Sequence, residues 1–186
     1  YLTFSRLNTK GKVKLNGRNY NVVGTSWFDH QKLNLPKHSS LNGWDWFSII
    51  FNDNTELMFF ILRNKKGVVK NFMGGTYIDK NSKTINLLQE DVDIEVISTW
   101  VSPKTKISYP SGWNLKIKRL NLNVNVIPEV KNQEINRIPT TPINYWEGAC
   151  LVRGKKAGKK IQGQSYVELT GYDKRFSTQF LQSFYR

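Results

Sequence analysis

The chain has one cysteine, Cys150, and two histidines among its 186 residues. A single thiol excludes an intrachain disulfide and any cysteine-built metal centre. His30 and His38, with Asp29 and Asp45 nearby, fall at no recognised ligand spacing, so no metal site and no cofactor are expected. Long apolar runs are missing too. The longest is "LMFFIL", Leu57 to Leu62, far short of the ~18 residues of a membrane-spanning helix. Helical periodicity is absent from every window of about 11 residues. There is no Ser-His-Asp order, no nucleophile elbow and no glycine-rich phosphate loop, so hydrolytic and nucleotide chemistry have no visible carrier. Acidic residues are scarce: 14 Asp and Glu against 28 Lys and Arg give a net charge of +14. No RNA- or DNA-binding motif accompanies that charge, so nucleic acid is not an expected partner. The first residue is Tyr1, already inside the strand-like "YLTFSRL". A fragment or processed product is expected, and the lack of a signal segment carries no weight about location.

What the chain does have is alternation. Leu120, Leu122, Val124 and Val126 alternate with Asn121, Asn123 and Asn125, and "DVDIEV" at Asp91 to Val96 repeats the pattern. A period of two marks a strand with one buried face. "WFSIIF" and "ELMFFILR" are continuous apolar runs, as in strands covered on both faces. Turn signals stand between the runs: "NTKG", "LNGR", "NDNT", "NKKG", "DKNS" and "YPSG". Hydrophobic content of 39% and aromatic content of 13% supply a core and argue against disorder. The fold class is therefore all-β: about a dozen short antiparallel strands forming a barrel or a sandwich. A barrel of this kind has room for one small ligand. Short helices are expected only at Val130 to Arg137 and Ser177 to Phe180. A boundary is expected near Thr99 to Lys106, where composition shifts and Pro103 interrupts a ladder.

Three groups of residues are candidates for chemistry. In "GTSWFDHQ", an extended backbone puts Trp27 and Asp29 on one face and His30 on the other. An Asp walled by aromatics has its charged form disfavoured, as suits a general acid. The alternative is an Asp that merely caps a turn beside a packed Trp. In "GWDWF", Trp44 and Trp46 share a face, with Asp45 and Phe47 opposite. Those two indoles either line a ligand cavity or are ordinary packing. In "NYWEGA" and "YVELTGY", Tyr145 and Glu147 share a face, as do Tyr166, Glu168, Thr170 and Tyr172. Glu147 and Glu168, on strands that a turn near 153–160 would join, are either paired carboxylates for acid–base work or exposed residues of an outer face. The turn itself, "RGKKAGKK" at Arg153 to Lys160, is a solvated hairpin tip or a contact for an anionic membrane surface.

In this order, "GTSWFDHQ", "GWDWF", "ELMFFILR", "TWVSPKTKISYPSGWNLKI", "QEIN", "YWEGACLVRG" and "SYVELTGY" resemble the AttH-type "predicted secreted hydrolase" proteins, relatives of carotenoid 1,2-hydratase. The resemblance covers nearly the whole chain. It implies two packed lipocalin-like (calycin-type) domains, with residues 1–97 the later part of the first and 98–186 the second. It further implies an exported protein of the bacterial periplasm or cell envelope that binds an apolar small molecule, a lipid or isoprenoid, in a β-barrel cavity, as carrier or sensor. Trp27, Trp44, Trp46, Tyr145, Glu147, Tyr166 and Glu168 are the expected ligand contacts. The hydratase branch implies a second possibility: Asp29 as the acid that protonates a double bond, with aromatic faces stabilising the cation.

Overall fold

The computed structural model describes residues 1–31, 41–64, 66–136 and 143–174, with backbone alone at 67–72. His38, the expected tail helix and Arg137 lie outside these residues. The chain divides into two compact units, Tyr1–Ser39 and Ser40–Arg186.

The first unit is a ribbon of two antiparallel strands, β1 (Leu2–Leu15) and β2 (Arg18–His30). Its tip is "NG", where Asn16 and Gly17 take φ of 49° and 79°. Two successive positive φ values make the tight turn whose twist matches the flanking strands, and Asn-Gly is the pair that tolerates it best. A bulge falls between Phe4 and Leu7.

The second unit is a single large sheet. Its strands are β3 (Leu41–Phe51), β4 (Glu56–Asn64), β5 (Gly67–Ile78), β6 (Thr84–Leu87), β7 (Val92–Val96), β10 (Trp113–Ile117), β11 (Leu122–Pro128), β12 (Glu134–Ile135), β13 (Tyr145–Lys156) and β14 (Lys159–Leu169). A separate small pair, β8 (Thr99–Val101) and β9 (Ser108–Pro110), stands beside it in the chain. The spatial order is β6-β5-β4-β3-β14-β13-β11-β10-β7, with β12 on β13. The two ends of that path, β6 and β7, are linked by a short 3-10 turn at Gln89–Asp91. The sheet has thus curled into a nearly closed antiparallel barrel, the first of the two all-β alternatives. β7 and β10, on either side of residue 97, are hydrogen-bonded neighbours, so the sheet runs across the expected domain boundary.

Alternation sorts each strand into an inner and an outer row. Phe47, Ile49 and Phe51 of β3, Leu57, Phe59 and Ile61 of β4, Trp113, Leu115 and Ile117 of β10, and Leu122, Val124 and Val126 of β11 all belong to one buried core. Asn123 and Asn125 point outward, as the "LNLNVNV" pattern implies. Trp113 meets Phe47 edge to face at 5.3 Å and Trp146 at 6.5 Å. β3 and β10 are not sheet neighbours, so the Phe47–Trp113 contact spans the inside of the barrel. The side chains of this core occupy the interior.

The helix expected from Val130 is not formed in the described part of that segment. Glu134 and Ile135 pair instead with Trp146 and Tyr145, and the Trp146 indole donates to the Lys131 carbonyl at 2.8 Å. Pairing with a long strand satisfies these backbone groups better than one isolated helical turn, whose nucleation is costly.

Removing Phe47 leaves Trp113 without its cross-barrel partner. Phe47→Ala is expected to lower unfolding free energy by about 3–5 kcal/mol, whereas Leu151→Ala, on the exposed row, should change it by less than ~0.5 kcal/mol. Urea denaturation of both variants checks the contrast.

Candidate functional site

In the ribbon, β2 holds Trp27 and Asp29 two positions apart on one face, and both are half-buried. The carboxylate of Asp29 accepts from the Thr3 hydroxyl at 2.7 Å, the Tyr1 phenol at 2.8 Å and the Trp27 indole N–H at 3.1 Å. Thr3 stands directly opposite Asp29 in the ladder, and His30 stands opposite Leu2. His30 therefore belongs to the other face, and no Asp29–His30 dyad forms. Three donors converge on Asp29, and one of them is its aromatic neighbour.

In the barrel, the register brings the remaining candidates together. Glu147 is opposite Glu168, Glu168 opposite Trp46, and Trp46 opposite Phe60. One step along, Ala149, Tyr166, Ser48 and Met58 form the next row. Tyr145 and Trp44 extend the same face by alternation. These residues lie on the outer side of the sheet, away from the core of Phe47, Val167 and Trp146. Trp44, Trp46, Tyr145, Glu147 and Glu168 are half-buried there, and Tyr166 is exposed. Burial raises the Glu147 carboxyl above its usual range, with a Tyr145 hydrogen bond pulling it back. Burial and the two nearby carboxylates also raise the phenols of Tyr145 and Tyr166.

Tyr172, expected to share the Glu168 face, is turned the other way. β14 ends at Leu169, and Gly171 follows with φ of 74°. A side chain on Gly171 or Gly43 would collide with the other segment's backbone, so these two glycines let the chain cross tightly over β3. Tyr172 then reaches inside, where its phenol donates to both oxygens of Asp45 at 3.1 and 3.0 Å. Arg63, at the end of β4, is 3.1 Å from the same carboxylate. It also donates to the Thr170 carbonyl and lies 4.0 Å over the Tyr172 ring. Burial raises the Asp45 carboxyl, while the Arg63 charge and the Tyr172 phenol oppose that rise.

Tyr172 packs 5.5 Å from Tyr109, whose phenol donates to Glu134 at 3.0 Å. Glu134 also accepts from Ser102 at 2.6 Å, Thr105 at 2.5 Å and Asn136 at 2.7 Å. Burial would raise its carboxyl, but these hydrogen bonds hold it below the usual range. This polar cluster at one end of the core was missed by reading the sequence. Its signal was present at Asp45, which alternation puts on the same face as Phe47, the core side, where a carboxylate requires a cation.

Among the described residues, no group of three or more potential metal ligands converges.

A comparison with family models decides where the chain belongs: the AttH-like family matches residues 1–172. The chain is a member of the AttH-like family. Among solved structures it is similar to an AttH protein from Nitrosomonas europaea, with 26% identity and a TM-score of 0.79 over 91% of this chain. It is also similar to kievitone hydratase from Nectria haematococca, with 19% identity and a TM-score of 0.73 over 90% of this chain. It spans 51% of the length of each. No curated protein matches. The AttH resemblance seen in the motifs is thus shown, and the barrel agrees with both structures.

Loss of Arg63 tests the buried ion pair. Arg63→Gln is expected to cost about 3–5 kcal/mol at neutral pH, because an uncompensated charge is left buried. A carboxyl raised in the folded state gives its full stabilisation below the ordinary value of 3.8 and loses it as pH rises through the raised value. Without Arg63 that rise grows, so the loss from Arg63→Gln should shrink when unfolding is measured near pH 4. Equal losses at the two pH values would contradict the assignment.

Proposed function

We propose that this AttH-family chain takes part in binding an apolar small molecule, a lipid or isoprenoid, as a carrier or sensor of the bacterial periplasm or cell envelope. The observation that carries the reading is the outer row of the barrel. Trp44, Trp46, Phe60 and Tyr166 make an apolar, aromatic surface on β3, β4 and β14, bordered by Tyr145, Glu147 and Glu168. Aromatic rings contribute large contact area, and a few polar groups at the margin orient a ligand bearing a hydroxyl or similar group. The ligand surface proposed is this outer face, since Phe47, Trp113 and Trp146 occupy the interior.

A second reading is acid-catalysed hydration, with Asp29 as the proton donor. It is favoured by the contact of the Trp27 indole with the Asp29 carboxylate and by the fold shared with a kievitone hydratase. In that reaction a carboxylic acid adds a proton to a carbon–carbon double bond, the aromatic face stabilises the carbocation, and water adds its oxygen to the cation and returns a proton to the carboxylate. The three donors around Asp29 would hold the resulting carboxylate in place.

The two readings separate by experiment. Mass spectrometry of lipids that co-purify with the protein should detect an apolar ligand, reduced about tenfold or more by Trp44→Ala with Trp46→Ala, since each indole contributes on the order of 1 kcal/mol or more. Retention of the ligand by that double variant overturns the binding reading. Asp29→Asn should leave a carrier's ligand unchanged. If the wild type instead carries a hydrated product, and Asp29→Asn carries the unhydrated precursor in its place, the hydratase reading prevails.

A further inference from the structure

The run "RGKKAGKK" divides once its strand register is known. Lys156 turns toward the barrel rim, where it meets Asp53 at 2.6 Å and Thr55 at 3.0 Å and lies 5.1 Å from the Tyr77 ring centroid. It is held by the fold. Arg153 and Lys155 belong to the opposite row, point outward and are exposed. Lys160 is directly opposite Lys155, and Gln162 is opposite Arg153. The same rows continue across two more strands: Lys155 to Asn123 to Lys116, and Arg153 to Asn125 to Asn114. Two residues distant in sequence, Lys116 and Asn114, thereby join the patch. Asp93 and Glu95 bound it on β7.

Like charges directly opposite one another on a sheet repel and are destabilising. Elsewhere in the barrel Arg63 meets Asp45, Arg119 meets Asp91 and Lys156 meets Asp53. Arg153, Lys155 and Lys160 form no ion pair with a described residue. Their positive charge is arranged over two neighbouring strands and presented outward, interleaved with amides that donate hydrogen bonds.

We infer that this outer face of β13 and β14, with Lys116 of β10, docks on the surface of an anionic phospholipid membrane. The cations are spread across neighbouring strands on one outer face, which matches a sheet of phosphate headgroups better than a single threaded polymer. Asn123, Asn125 and Gln162 are placed to donate to phosphate and glycerol oxygens between them. No aromatic side chain lies within Arg153 to Lys160, so the base stacking by which proteins hold single-stranded nucleic acid has no platform. The inference is independent of the apolar-ligand reading, since it uses other residues.

Sedimentation with phosphatidylcholine vesicles, with and without phosphatidylglycerol, tests it on the full chain. Binding should require phosphatidylglycerol, weaken with added salt, and resist competition by inorganic phosphate. Replacing Arg153, Lys155 and Lys160 together by Gln should reduce affinity on the order of 100-fold, at about fivefold per cation near an anionic surface. Lys10→Gln, Lys12→Gln and Lys14→Gln combined remove the same charge from the ribbon and should have a much smaller effect. Asn125→Lys, which adds a cation to the patch, should tighten binding. Equal loss from the two triple variants, no effect of Asn125→Lys, or binding to duplex DNA or heparin but not to vesicles would overturn the inference.

Discussion

The pairing of β3 with β14 is the contact on which the barrel depends. It joins strands more than a hundred residues apart in the chain, Gly163 with Phe51 at one end and Leu169 with Asp45 at the other. With β4 on its other side, β3 is held in register from both edges. A strand in that position has no freedom to slip, because a shift of one residue would exchange its two faces entirely. Phe47, Ile49 and Phe51 would then leave the core, and Trp44 and Trp46 would enter it. The close passage of Gly43 against Gly171 fixes the end of the same pairing. There a backbone approach no other residue permits turns the chain after β14 so that Tyr172 reaches Asp45.

That register has an electrostatic consequence. It commits Asp45 to the inside, where its desolvation is offset by a guanidinium, a phenol and little else. A hydrophobic residue of similar volume would serve stability as well or better. What Asp45 supplies is geometry, tying the end of β4 through Arg63 to the segment after β14 through Tyr172 and Thr170. Tyr109 and Glu134 continue the polar packing toward β12. Breaking one member therefore loosens three segments at once, whereas an outer-row residue touches only its cross-strand neighbours.

Much of the strand architecture was legible because it rests on a short-range signal. The Asn alternation of β11, the turn at Asn16 and Gly17 and the apolar runs of β3 and β4 each read directly as what they became. Trp27 and Asp29 were likewise legible as one face of an extended strand. Three things were not. Tyr172 was assigned to the face of Glu168 by counting in twos, but alternation stops where the strand stops, and the turn at Gly171 resets it. Arg63 was unreadable as the partner of Asp45, because a cross-strand ion pair depends on which strands are neighbours. The helix expected after Pro128 failed for the related reason that a long strand, β13, was available to pair with Glu134 and Ile135.

The same sorting explains why the aromatic candidates and the basic candidates are found on one sheet without interfering. On β13 the outer row runs Tyr145, Glu147, Ala149, Leu151, Arg153 and Lys155, and on β14 it returns through Lys160, Gln162, Gln164, Tyr166 and Glu168. Antiparallel pairing places like with like: Glu147 beside Glu168 at one end, Lys155 beside Lys160 at the other. Neighbouring like charges cost stability at both ends, and a fold under no other constraint would alternate them, since opposite charges facing one another are favourable. The segregation argues that each end answers to something outside the strand pair. At the aromatic end burial and Trp46 shape a surface for apolar contact. At the basic end the proposed docking on an anionic surface supplies that outside partner: Arg153, Lys155 and Lys160 form no ion pair with a described residue, while Lys156, next to Lys155 and facing inward, is paired with Asp53.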